Sequence, residues 1–377
     1  MSISGTEALH RRAIIVDGHC DTPYRLLRHR VHLDEHDTEA QADLRLLREG
    51  GITASFFAAY VPPFYAGRGA AKFARTLIDL IETEVARRPD ALTLCTDSAG
   101  IRAAKRDGKL AVMIGVEGGH AIEDSLDILR ELYSRGARYM TLTHVNTNNW
   151  CDSSGDKPRH GGLTEFGRDV VRTMNDLGMI VDISHVSDDA FFNVIETTRV
   201  PVVATHSSAR ALCRHPRNMT DEMLRTLAKN GGVCMVNFFS AFISDEVAQV
   251  IMAAQKRPKN ADSNAGTGGT EEMPDDRTDW DTYLEWFQSL GCPTATLDQV
   301  ADHIFHIANV AGIEHVGIGS DFDGVPALPD GLQTAAGLPM LTARLVERGM
   351  SDDDVEKVLG ANFLRVFEEV ERRRLAG

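Results

Sequence analysis

Histidines and carboxylates recur along this chain at the ends of short apolar runs. His19-Cys20-Asp21 closes the first run and Glu117-Gly118-Gly119-His120 the third. His144 closes the fourth, His185 the fifth, His206 the sixth, and Asp321-Phe322-Asp323-Gly324 the eighth. Neutral imidazole and carboxylate are good ligands for divalent zinc and similar ions. Residues i and i+2 of an extended segment point to one side, so His19 and Asp21 can reach one ion together. His185 and His206 can hold a second. A carboxylate has two oxygens, so Glu117 can bridge two ions roughly 3.5 Å apart, the separation usual in two-metal hydrolases. Singly, none of these residues is diagnostic. A histidine at a strand end is often a hydrogen-bonded packing residue, His-x-Asp is common, and a glutamate among glycines can simply favour the next helix N-terminus. Their joint occurrence at the ends of elements far apart in sequence is what points to a metal site. The other histidines lack this placement. His303 and His306 stand at i, i+3 in an expected helix, which suits packing or a surface role. His29, His32 and His36 lie in a polar stretch and read as solvated. His120, His160 and His215 lie near candidate loops but are not expected ligands.

The elements that must position these groups are legible as runs. Eight short apolar, β-branched segments cover 13–18, 52–60, 110–116, 138–143, 179–184, 200–205, 232–238 and 315–320. None alternates cleanly between apolar and polar, which suits strands buried on both faces of a parallel sheet. Helical spacing lies between them, at 73–87, 164–177, 188–197, 221–229 and 297–311, with Thr164 a plausible N-cap and Gly178 a plausible C-cap. Strand alternating with helix, eight times over, is the pattern of a TIM-type (β/α)8 barrel of class α/β. In such barrels chemistry sits at the C-terminal ends of the strands, where the histidines and carboxylates stand. A doubly wound open sheet fits less well, because no Gly-rich phosphate loop follows the first strand. Residues 241–296 break the rhythm and read as a rim insertion between the seventh and eighth barrel strands. Its flanks are helical at 245–254 and 280–290, and its polar middle, 257–279, is expected to be a mobile loop. The tail from Ser351 reads as one or two helices closing the outside of the barrel.

Composition narrows the function classes. The 377 residues are 43% apolar and 25% charged, as in a globular protein, and 1–377 reads as one domain. The formal charge of −15 repels phosphate backbones and argues against nucleic acid as a partner. The six cysteines form no CxxC pair, so free thiols in a reducing compartment are expected rather than a disulfide framework. No run suits a signal peptide, a membrane span or a lipid anchor, and the expectation is a cytoplasmic protein without membrane contact.

Several segments resemble, in order and over nearly the whole chain, those of the membrane (renal) dipeptidases, peptidase family M19. They are VDGHCDTPYRLL at 16–27, GVEGGHAI at 115–122, LTHVNTNNW at 142–150, DISHVS at 182–187, ATHSSARALCRHPRNMTDE at 204–222, IGSDFDG at 318–324 and LGANFLRVF at 359–367. The resemblance implies a (β/α)8 barrel with two Zn2+ ions. It implies His19 and Asp21 on one zinc, His185 and His206 on the other, and Glu117 bridging. It implies His144 as a substrate-contacting histidine near the scissile carbonyl, Arg217 as the contact for the substrate's terminal carboxylate, and Asp321 as the proton-transfer carboxylate. A homodimer and tolerance of D-residues at the C-terminal position are further implications, which make L-Xaa-D-Xaa dipeptides candidate substrates. The animal members' secretion signal and lipid anchor have no counterpart here, so the soluble, bacterial-type branch is the better match.

The reaction this suggests is metal-assisted hydrolysis of a dipeptide by a bridging hydroxide. His144 would help hold the oxyanion, Asp321 would carry the proton to the leaving amine, and Arg217 would fix the free carboxylate. Two rival readings fit less well. Lactonases and phosphotriesterases of the same fold usually begin with His-x-His and bridge through a modified lysine, whereas here the motif is His-x-Asp and the bridge candidate is Glu117. A metal-dependent binding protein without catalysis would have no need of Asp321.

Overall fold

A computed structural model describes residues 3–255 and 280–374. The apolar runs become short parallel strands: β1 (Val16–Cys20), β2 (Ala54–Tyr60), β3 (Leu92–Leu94), β4 (Leu110–Glu117), β5 (Ala137–Thr141), β6 (Ile180–Asp182), β7 (Val203–Ala204), β8 (Val233–Val236) and β9 (Val316–Ile318). The order β2-β1-β9-β8-β7-β6-β5-β4, closed by pairing of β2 with β4, makes a ring of eight. This is the expected TIM-type (β/α)8 barrel. Every residue of β4 is buried, which is why its sequence is a continuous apolar run.

The ninth strand was not anticipated. β3 pairs Leu92 through Leu94 with Leu110 through Val112 of β4, while β5 takes the same edge of β4 from Ile114 onward. Three residues are too short to give a periodic signal.

The barrel interior is filled by Val16, Phe56, Met113, Tyr139, Ile180 and Met235, in one cluster with Phe363 and Phe367. Phe56 stands 4.9 Å from the Tyr139 ring and 5.3 Å from the Phe363 ring, centroid to centroid. Phe363 belongs to the helix Asn362–Arg372. The tail therefore plugs the N-terminal mouth of the barrel, a correction to the expectation that it covers the outside. With one mouth sealed by aromatic packing, the opposite rim is left for a site.

On that rim the loops run into capped helices. Thr164, Ser187, Thr220 and Thr296 each accept a backbone N–H with their side chains, whereas Gly178 ends its helix in the left-handed conformation at the opposite end of the barrel, just before β6. Each cap fixes where its loop must stop. The rim insertion contains the helices Asp245–Gln255 and Trp280–Ser289, as expected. The expected mobile loop at 257–279 lies outside the described residues. Phe287 of the second helix is buried, with its ring 5.9 Å from that of Phe239 just beyond β8, so this end of the insertion packs on the rim. Among the described residues no helix is long and apolar enough to cross a membrane.

Candidate metal centre

His19 lies within β1, and Asp21 follows at the N-cap position of the helix Thr22–His29. An aspartate there ordinarily accepts a backbone N–H. Asp21 makes no such bond. Its Oδ2 instead lies 3.3 Å from His19 Nε2. Glu117, the last residue of β4, extends its Oε2 to 3.4 Å from the same nitrogen. Its Oε1 points the other way, 3.1 Å from His185 Nε2 and 3.4 Å from His206 Nε2. The two histidine nitrogens are 2.9 Å apart. One buried carboxylate thus faces two groups of nitrogen donors with separate oxygens.

His144 stands beside the second group, with Nε2 3.9 Å from Glu117 Oε1 and its ring 4.4 Å from that of His185. Asp321 joins the first group, its carboxylate within 4.8 Å of donor atoms of His19 and Asp21. His185 and Asp321 both adopt positive φ, +69° and +66°. Such backbone is costly for residues other than glycine and is concentrated at functional sites. Seven of the eight residues singled out from the sequence therefore converge, and the eighth, Arg217, stands at a short remove.

Arg217 is buried on the loop after β7. Its Nη2 donates to the His206 carbonyl at 3.0 Å, its guanidinium lies 5.2 Å from the Phe242 ring centre, and Nε has no hydrogen-bond partner. Among the described residues no carboxylate forms an ion pair with it, so a structural ion pair on the loop is not what holds it there. A buried guanidinium with a spare donor is a receptor for an anion.

Electrostatics favour cation binding. Burial pushes His144 down to about 4, and lowers His185 and His206, so these imidazoles are neutral with lone pairs available at pH 7. For His206 the hydrogen bonds fix the tautomer. Thr205 Oγ1 donates to Asp182 Oδ2, so it can only accept from His206 Nδ1–H, which leaves Nε2 unprotonated toward Glu117. Burial pushes Asp21 up to about 8, against the opposing pull of His19 and with the Glu117 charge adding to the rise. Burial opposes a charge on His19, but Glu117 and Asp21 outweigh it and raise its pKa well above the usual value. A proton there stands where a metal would. Buried His19 Nε2 and Asp21 Oδ1 also lack hydrogen-bond partners. Orphaned donors among carboxylates fit a cation. Distances alone, however, also group Glu117 with His144 and His185.

Sequence reading missed the groups behind the ligand-type residues. Tyr139 Oη lies 2.7 Å from His19 Nδ1. Asp182 accepts from Thr141, Ser184 and Thr205 and so steadies His206. Asp17 accepts from the Ser320 backbone and hydroxyl, tying β1 to the Asp321 turn. Asp17 and Asp182 were visible inside the VDGH and DISH segments. Tyr139 gave no signal beyond being an aromatic in a strand. Tyr283, on the insertion helix, is placed so that Asp321's charge adds to burial in raising its phenol. Away from the site, His32 is not simply solvated, since Nδ1 lies 2.7 Å from the buried Glu84.

A closed parallel barrel whose C-terminal rim carries buried imidazoles around a shared carboxylate defines a metal-dependent hydrolase. The model of the membrane dipeptidases, peptidase family M19, matches residues 4–376, and the chain belongs to that family; it is a metallo-dipeptidase. A dipeptidase, verJ, from Clonostachys rogersoniana is 34% identical over 373 residues, covering 95% of this chain and 84% of that protein. The probable dipeptidase PvdM from Pseudomonas aeruginosa superposes with a TM-score of 0.81 at 27% identity, covering 98% of both chains. A metallopeptidase from Rhodobacter sphaeroides, liganded with a phosphinate mimic of the dipeptide L-Ala-D-Ala, superposes with a TM-score of 0.73 at 25% identity, covering 95% of this chain and 99% of that one.

Proposed function

We propose that this metallo-dipeptidase holds two zinc ions, one on His19 and Asp21 and one on His185 and His206, with Glu117 across both. The observation that carries this reading is the division of labour at Glu117, whose Oε2 faces His19 while Oε1 faces His185 and His206. Zinc bound there would supply hydroxide near neutral pH and polarise the scissile carbonyl. The chain's own residues do the rest. Arg217 offers its unpaired Nε to the substrate's free carboxylate, which selects short substrates ending in an acid. His144, neutral and next to the cluster, donates to the developing oxyanion. Asp321 takes the nucleophile's proton and passes it to the leaving amine. A single contact from Arg217 to the carboxylate does not read the chirality of the residue bearing it, so L-Xaa-D-Xaa dipeptides are included as substrates. The phosphinate dipeptide on the Rhodobacter relative favours this class. A homodimer, which sedimentation tests, and a cytoplasmic location in keeping with six free thiols complete the proposal.

The test is elemental analysis with a panel of L-L and L-D dipeptides. About two zinc equivalents per chain, loss of turnover on chelation and recovery on adding zinc are expected. A metal-free preparation with full activity overturns the reading.

A further inference from the structure

β8 ends on Val236, and the next residue, Asn237, is fully buried. Its two amide ends are both engaged. The Phe239 backbone N–H donates to Asn237 Oδ1 at 2.6 Å, and Asn237 Nδ2 donates to Asp321 Oδ2 at 2.7 Å. The first bond settles the orientation of the second. A flipped amide would set NH2 against the Phe239 N–H, so only Nδ2 can face Asp321. The same Nδ2 lies 3.5 Å from the His206 carbonyl, which also accepts from Arg217.

Asp321 needs such a partner. Its φ of +66° is a conformation that surrounding contacts must enforce. Of its neighbours, Asp21 is a like charge, and His19 turns Nε2 to Asp21 and Glu117 and Nδ1 to Tyr139, so neither fixes the Asp321 carboxylate. Backbone bonds, from Asp321 N to the His19 carbonyl and from Gly324 N to the Asp321 carbonyl, secure the turn but leave the side-chain torsions free. Asn237 supplies a side-chain hydrogen bond to this carboxylate.

We infer that Asn237 is the positioning residue for Asp321, committing Oδ2 to an amide donor so that Oδ1 is the oxygen presented to the nucleophile and the leaving amine. This rests on the reading of Asp321 as the proton carrier. A proton acceptor misplaced by about 1 Å can lose on the order of 10²-fold in rate, and Asn237 prevents that misplacement. Substrate binding, assigned to Arg217, does not depend on it.

The competing role is structural. Asn237 Oδ1 caps the turn after β8, and that alone could explain its burial. Asn237→Ser separates the two, because a hydroxyl can accept from Phe239 N–H but is too short to reach Asp321. The experiment compares wild type, Asn237→Ser, Asn237→Ala, Asp321→Asn and the double variant Asn237→Ser/Asp321→Asn, as zinc-loaded protein with L-Ala-D-Ala and L-Ala-L-Ala. Melting temperature and zinc content are measured on the same preparations. The expected result is a fall in kcat of about 10–100-fold in Asn237→Ser, with KM within about threefold and near-normal zinc content and melting temperature. Adding Asn237→Ser to Asp321→Asn costs nothing further, because the residue it positions is already disabled. Wild-type kcat in Asn237→Ser, or a full multiplicative loss in the double variant, overturns the proposal. Loss of stability in Asn237→Ala but not in Asn237→Ser assigns only the cap to the turn. Undiminished turnover in Asp321→Asn instead removes Asp321 from the mechanism and takes the positioning role with it.

Discussion

At the residue scale, Glu117 and Arg217 divide metal binding from substrate binding, and substitution of each has a distinct expected outcome. Glu117 faces His19 with one oxygen and the His185–His206 pair with the other. Glu117→Gln replaces one of those oxygens by an NH2 that cannot ligate, so zinc should fall to about one equivalent and turnover by on the order of 10²-fold. Full zinc occupancy with normal turnover would move the bridge elsewhere. Arg217 acts on binding rather than chemistry. Arg217→Lys keeps a charge but loses the fork, and a lost charge-assisted bond is worth about 1.5–3 kcal/mol, so KM should rise about 10–100-fold with kcat little changed. An unaltered KM would leave the substrate's carboxylate to another group. The ligand-type residues were legible in sequence because their chemistry is in their types. Asn237 and Tyr139 were not, because a buried amide and a buried phenol look like packing until their partners across the barrel are known.

At the scale of elements, the barrel interior and the metal centre are coupled through one ring. Tyr139 on β5 fills the barrel beside Phe56 and places its hydroxyl 2.7 Å from His19 Nδ1. Gly115, opposite on β4, leaves the room for it; a Cβ there would collide with Tyr139 Cζ, Cε2 and Oη. The ring is rigid and enclosed, so it cannot yield cheaply. Gly115→Ala should therefore cost about 1–3 kcal/mol in denaturant unfolding and also weaken zinc retention, since His19 loses its support. Destabilisation with undiminished zinc affinity would uncouple the two. Neither the close approach nor the need for glycine could be read from GVEGGH. The strands were legible, because burial on both faces writes itself as continuous apolar residues, and so were the helices Asp188–Thr197 and Leu297–Ala311, which have polar caps and regular spacing. β3 and the helix that plugs the barrel were missed for opposite reasons. β3 is too short, and the amphipathic face of Asn362–Arg372 says that it packs without saying against what.

At the scale of the whole molecule, a buried histidine outside the metal centre joins three segments far apart in sequence. His303, on the helix Leu297–Ala311, is buried between two segments. Its Nδ1 accepts from the Ala209 N–H on the loop after β7 at 3.0 Å. Nε2 must then carry the proton and donate to the Ile243 carbonyl, also at 3.0 Å, at the end of the helix Ser240–Ile243. Protonating Nδ1 would set N–H against N–H, and burial pushes the pKa down to about 4. The sign follows from linkage. In the unfolded chain this imidazole takes up its proton near the ordinary value of about 6.5, while the folded chain refuses it until about pH 4. The contribution to stability is therefore complete above pH 6.5, shrinks as the pH falls through that window, and is lost by pH 4, a difference of about 3 kcal/mol. His303→Gln presents an oxygen and an N–H in roughly the same places but does not titrate. Wild type should accordingly lose more stability than His303→Gln between pH 7 and pH 4.5, measured by urea unfolding. Both proteins carry the same metal centre and the same remaining buried histidines, so their acid sensitivity cancels in the comparison. Parallel decline of the two would show that protonation of His303 is accommodated without breaking either bond.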